Sequence, residues 1–162
     1  MGGVWSFLIG MFLQNAARMS YQQLLLRRAL EGERVRRFMK TDPITVTPST
    51  SVRQLVEDYI YRYHFKMFPV VEDSHRLVGC VTTKQVQAVP REEWGMKRVG
   101  EIGGACLPGN MIGPEEDAMK ALSMMARTGL SRLMVIEGDR IIGILALKDL
   151  LKFFKEKLEL EQ

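Results

Sequence analysis

Histidine is close to absent from this chain: its 162 residues hold two, His64 and His75. A zinc-peptidase helix needs two imidazoles one turn apart with a glutamate beside the first, the H-E-x-x-H arrangement. Neither histidine stands in one. His64 falls at a helix end and His75 in a hairpin turn, so both are expected at the surface. Cysteine is equally scarce. Cys80 and Cys106 cannot make a disulfide framework. Cys80 lies inside an apolar run and reads as a small core residue, in a chain suited to a reducing compartment. Cys106 has no His or Asp motif beside it, which argues against a thiol nucleophile. Gly103-Gly104-Ala105-Cys106 lacks the Lys-Ser/Thr of a phosphate loop and reads as a flexible connector. No catalytic constellation remains. The chain is expected not to be an enzyme, and to hold no metal and require no cofactor.

What is present is an ordinary globular composition, 46% apolar, at a length that permits one domain or two small ones. The net charge of +4 is unevenly placed. Residues 1–40 carry seven Lys/Arg against Glu31 and Glu33, whereas residues 41–162 carry sixteen against seventeen acids. A nearly neutral body argues against nucleic acid as a partner, and the basic segment suits an anionic one. Residues 1–17 carry no charged side chain. Their apolar heart, Val4 to Leu13, is shorter than the roughly 20 residues of a complete transmembrane helix. It also lacks the basic start and small-residue cleavage site of a secretory signal. Two readings fit it. One is an interfacial helix anchored by Trp5 with Arg18, Arg27 and Arg28 on the cytoplasmic side. The other is a soluble helix packed on the body or on a second copy; beside these stands a third, the remnant of a longer membrane segment. Leu13, Ala17, Tyr21, Leu24 and Leu25 continue the helical spacing towards a stop at Gly32.

The dominant signal is a repeat. Apolar runs around Glu137-Gly138-Asp139 read as an antiparallel hairpin feeding a helix near Lys148-Asp149. Met67 to Val81, followed by Thr82-Thr83-Lys84-Gln85, says nearly the same thing, with Gly143 standing 64 positions after Gly79. Before the first hairpin, Asp42 to Pro48 reads as a short strand. Ser49-Thr50-Ser51 supplies a cap, and Val52, Leu55, Val56, Tyr59 and Ile60 form one helical face. Before the second, Asn110-Met111-Ile112 reads as a strand. Pro114-Glu115-Glu116-Asp117 opens a helix whose face is Ala118, Ala121, Leu122 and Met125, ended by Gly129. Val99-Gly100-Glu101-Ile102 repeats the place of Val35-Arg36-Arg37-Phe38. The expected fold is α/β (α+β): two units of short strand, helix, two strands and helix. One such unit buries too little surface alone, so two should pack about a pseudo-two-fold axis with clefts between them. The expected boundaries are an arm at residues 1–33, repeats at 34–90 and 99–158, a linker at 91–98 and a tail at 159–162.

Phe68-Pro69-Val70-Val71-Glu72-Asp73 with Arg76-Leu77-Val78-Gly79-Cys80-Val81-Thr82 resembles a CBS domain. So does Arg132 to Glu137 with Ile141 to Leu145 and Lys148-Asp149-Leu150. The resemblance covers roughly residues 34–158 and implies a Bateman module, a tandem pair that commonly binds adenosine-type ligands between its halves and relays occupancy. Gly2 to Leu13, Ala16-Ala17-Arg18, Ser20 to Leu26 and Val35 to Met39 resemble the end of a site-2-protease family protein, an intramembrane zinc metalloprotease with a cytoplasmic CBS pair. That implies the regulatory tail of such a protease, or a descendant without the peptidase.

In the CBS family the last strand runs into G-h-x-[S/T]-x-x-D. The hydroxyl serves a phosphate, and the carboxylate accepts from both ribose hydroxyls. Gly79 to Gln85 keeps Thr82 but has Gln85 in place of the Asp. Gly143 to Asp149 keeps Asp149 but has Ala146 in place of the hydroxyl. Thr82 reads as an N-cap before a phosphate ligand, and Asp149 equally as a ribose ligand or a helix-start carboxylate. At most one cleft, near Asp149, is expected to take AMP, ADP, ATP or S-adenosylmethionine, weakly. The resulting expectation is a sensor module, cytoplasmic or at the inner membrane face, homodimeric, with a membrane or peptidase partner. The alternatives are a dimerisation scaffold that has lost its ligand and a regulatory fragment of a zinc metalloprotease.

Overall fold

The structure is a computed structural model that describes residues 24–161. The apolar run at residues 4–13, with its readings, lies outside them. Residues 24–30 are helical and stop at Gly32, whose φ of +81° is a left-handed conformation that glycine adopts without a Cβ penalty.

Two hairpins form the centre. Strand β1 (Met67–Glu72) pairs antiparallel with β2 (Arg76–Thr82), and β4 (Arg132–Glu137) pairs antiparallel with β5 (Arg140–Ala146). The hairpins meet at Arg76 and Arg140, and the short β3 (Met111–Ile112) runs parallel to β4. The sheet order is β1-β2-β5-β4-β3. Each hairpin has a register irregularity at the same place, after Val70 in one and after Val135 in the other. The counterpart of β3 in the first half shrinks from the expected strand at 42–48 to one parallel bridge, Val46 to Val70. Pro43 and Pro48 lack the N–H groups that would extend it.

Helices flank the sheet with ends that follow from their sequences. Ser51 caps a helix that runs from Val52–Gln54 through a π-helical turn, Leu55–Ile60, to Tyr61–Tyr63. Ser51 and Gln54 satisfy each other's backbone N–H groups in a capping box. The helix Ala118–Thr128 ends at Gly129 with φ +75°. It begins later than the acidic run suggested. Asp117 is its cap, accepting from the Met119 N–H at 2.8 Å, so Pro114 to Glu116 precede it. Glu115 instead bonds Arg36 at 2.8 Å.

The two halves are joined by exchange. The helix Val35–Phe38 packs into the core of the second repeat, where Leu30 and Val35 meet Ala118, Leu133, Leu145 and Leu150. The helix Val99–Ile102 packs into the first repeat, where Val99 meets Val52, Leu55, Phe68 and Val81. The hydrogen bonds obey the same exchange: the Val35 N–H donates to the Glu116 carbonyl, and that of Val99 to the Thr50 carbonyl. Beyond each helix the chain crosses to the opposite hairpin. Lys40 bridges Ile144, and Gly104 bridges Cys80. This crossing explains the repeated glycine. A Cβ at Gly79 would stand 2.8 Å from the Gly104 carbonyl oxygen, and one at Gly143 would stand 2.6 Å from that of Lys40. A third core, of Val71, Cys80, Met134, Ile141 and Ile144, lies where the halves meet.

One expectation fails here. Cys80 and Cys106 are bonded to each other, with Cα atoms 5.1 Å apart, so Cys80 is not a free core thiol. The crossing at Gly104 returns the chain to Cys80 two residues before Cys106, which spacing along the sequence does not reveal.

Candidate functional site: the cleft between the halves

The crossing segment and the opposite hairpin enclose a cleft of about 290 Å³. Lys40, Asp42, Pro43 and Ile44 form one wall. Ser131 and Arg132 at the start of β4, Ile144 and Ala146 at the end of β5, Lys148 on the following helix, and Phe65 complete it. The size is near the lower end of small-molecule sites, and the lining is of their usual kind, apolar with a few charged groups.

Arg132 is the most constrained of these. Its guanidinium carbon lies 3.4 Å from the centre of the Phe65 ring, a cation–π contact from one repeat to the other. Phe65 is itself held by stacking on Tyr63, with centroids 5.8 Å apart, and by contact with the buried Phe68. Burial pulls the Arg132 guanidinium below its ordinary pKa range, yet an arginine stays protonated at neutral pH. Among the described residues no carboxylate forms an ion pair with it; the ion pairs present involve other arginines and Lys120. Lys40, Arg132 and Lys148 face one acid, Asp42, so the cleft favours an anion.

The two anticipated residues fall in different places. Asp149 follows Lys148 on the helix Leu147–Leu160 and is not itself among the cavity's lining residues. Its Oδ2 is buried with no hydrogen-bond partner among the described residues, and Ala146 at the cap position makes no side-chain bond. Thr82 belongs to the pseudo-equivalent junction in the other half. Its Oγ1 accepts from the Gln85 N–H at 3.3 Å, while Gln85 Oε1 accepts from the Thr82 N–H at 2.9 Å. The structure therefore does not bring Thr82 and Asp149 into one site. Sequence reasoning missed Arg132, Phe65, Lys40 and Lys148. The one signal was an arginine opening the apolar run Leu133 to Ile136.

The 64-residue spacing assigns the second cleft its equivalent positions. Gly104 stands for Lys40, Cys106 for Asp42, Cys80 for Ile144, Thr82 for Ala146 and Lys84 for Lys148. There the disulfide joins Cys106 of the crossing segment to Cys80 of β2. No group of His, Cys, Asp and Glu among the described residues could hold a metal ion. No described helix is long and apolar enough to cross a membrane. His64 and His75 are exposed.

Residues 35–90 and 110–156 match the CBS domain. Rip3 of Mycobacterium tuberculosis, named as a zinc metalloprotease, is 28% identical over 149 residues, covering 91% of this chain and 38% of that protein. MJ0392 of Methanocaldococcus jannaschii, also named a zinc metalloprotease, is 23% identical over 145 residues, covering 90% of this chain and 39% of that protein. The chain thus spans under two fifths of the length of these curated relatives. Among solved structures, CBSX2 in complex with AMP matches with TM-score 0.62 and 23% identity, over 81% of this chain and 100% of that one. The CBS domain of a bacterial CNNM/CorC family Mg2+ transporter in complex with ATP matches with TM-score 0.64 and 18% identity, over 83% and 97%. These likenesses carry the fold.

Proposed function

We propose, from the premise that the chain belongs to the CBS domain family and carries the domain in tandem, that it is a regulatory module. It binds a phosphate-bearing adenosine ligand between its halves. The observation that carries this reading is the cationic cleft, with Arg132 half-buried on Phe65 and no acid among the described residues paired to it. Arg132, Lys40 and Lys148 receive the phosphate in place of the hydroxyl missing at Ala146. Pro43, Ile44, Phe65 and Ile144 supply apolar surface for the base. Asp149 accepts from the ribose hydroxyls, a role suited to a buried oxygen that has no donor among the described residues. Thr82 keeps its capping role.

The relay follows the chain. Lys40 lies two residues beyond the helix Val35–Phe38, whose Phe38 packs edge-on against Phe153 at 4.9 Å. A ligand that draws residues 40–44 inward biases that helix and whatever precedes it. It does so only if it binds the two packings unequally. The zinc metalloprotease relatives, longer than this chain, support a membrane or peptidase partner at that end, on the cytoplasmic side. A scaffold that pairs as a homodimer without ligand is the second reading, favoured by the crosslinked second cleft.

Thermal unfolding with AMP, ADP, ATP and S-adenosylmethionine separates the two. The nucleotides are expected to raise the midpoint, by an amount equivalent to about 2.7 kcal/mol at a hundredfold excess over Kd. S-adenosylmethionine, without phosphate, should do less. Four flat titrations would leave the scaffold.

A further inference from the structure

We infer that the Cys80–Cys106 disulfide is a thiol latch: formed, it holds the loop at 103–110 against β2 and keeps the second cleft shut; reduced, it releases that loop and opens the cleft. The argument starts from the pseudo-symmetry. In the open cleft the positions equivalent to Cys106 and Cys80 are Asp42 and Ile144, both of which line the cavity. The bond therefore ties together two positions whose equivalents line the open cavity, and fixes the crossing segment on β2. It also joins the halves, since Cys80 belongs to the first hairpin and Cys106 to the chain leading into β3.

Between Gly104 and Leu107 the loop has few other anchors, whereas Gly103 bonds the Val99 carbonyl and Asn110 is buried. Gly104 and Cys80 exchange two backbone hydrogen bonds, of 2.8 and 3.0 Å. Gly104 and Ala105 are exposed, as is Leu107 at 68%. Cys80 is 5% exposed, with its Sγ 3.8 Å from Met134 Sδ, whereas Cys106 is only half-buried. A small dithiol thus reaches the Cys106 sulfur first. Its thiolate attacks there and Cys80 leaves as thiolate. The second thiol of the reagent then displaces Cys106. The protein gains two electrons and two protons as two S–H groups, and the dithiol closes to its own disulfide. Met134, Ile141 and Ile144 keep the Cys80 thiol in an apolar setting, so the halves stay packed. By the same equivalence the opened cleft presents Lys84 and the Thr82 hydroxyl, at the positions of Lys148 and Ala146, and has Cys106 rather than an acid at the position of Asp42, so it admits a small phosphate-bearing anion.

The test compares the full chain, oxidised and reduced by dithiothreitol, with thiols counted by maleimide labelling. Amide hydrogen exchange over 103–110 is expected to rise at least tenfold on reduction, with Ala118–Thr128 and β4–β5 unchanged. Cys106→Ser should behave as the reduced form in both conditions. AMP titrated into the reduced chain should bind one more equivalent than into the oxidised chain, and Lys84→Glu should remove that equivalent. Unchanged exchange over 103–110 would overturn the latch, as would exchange rising across the whole chain, which marks a staple. Equal AMP stoichiometry in both states would overturn the gate. No AMP bound when oxidised but one equivalent when reduced would sink the first-cleft reading and leave this one standing.

Discussion

Arg132 and Asp149 carry opposite risks for the folded chain, and both can be tested by removal. Asp149 leaves a buried oxygen without a donor, a state that costs about 1–3 kcal/mol. Asp149→Ala is therefore expected to match or exceed the parent in ligand-free stability while losing nucleotide-induced stabilisation, both read from one set of thermal melts. Loss of stability without ligand would mark it as a structural carboxylate. Gly143 has no such latitude. An added methyl would collide with the Lys40 carbonyl, so Gly143→Ala should cost about 1–3 kcal/mol in urea unfolding and break the Lys40–Ile144 bridge. Glu115 is bonded by Arg36 and Arg34, which hold its carboxyl below the usual carboxylate range. A lowered folded pKa contributes stability above the unfolded value, about 4.3, and loses it as pH falls through the folded one. Glu115→Gln should therefore leave neutral stability nearly unchanged, because the pair lies at the solvent-exposed surface, and flatten only the acid limb below that pH.

At the scale of elements, what could be read from the sequence was whatever a short window decides. The alternation bounded by Gly138-Asp139, the stops at Gly32 and Gly129, and the cap at Ser51 each depend on neighbours within four residues, and each is present. The 64-residue spacing of Gly79 and Gly143 was visible too. Its cause was not, because the carbonyls that forbid a Cβ belong to segments that cross from the other repeat. The same crossing hid the Cys80–Cys106 bond and the seat of Arg132 on Phe65. The exchange of the short helices gives a further expectation. Val99 is fully buried in the first repeat although it lies at the start of the second. Val99→Ala should cost about 2 kcal/mol, from lost methyl groups and the cavity they leave. Hydrogen exchange should show the loosening in the helix from Val52 to Tyr63, not in Ala118–Thr128.

For the whole molecule, neither half has a complete core of its own, so unfolding should be a single transition shared by both repeats. That cooperativity suits a module whose output is the packing of its halves. The cleft that reads this packing takes Phe65 from one half and Arg132 from the other, so a ligand bound there contacts both. Calorimetric titration of AMP into the full chain and into Arg132→Met tests the account most directly. The parent should bind, less tightly as salt is raised. Arg132→Met should bind at least tenfold more weakly while unfolding at the same or a higher temperature, since the buried charge is removed without a paired acid being stranded. Equal affinity in the two proteins, or no heat from the parent with AMP, ADP or ATP, would contradict it.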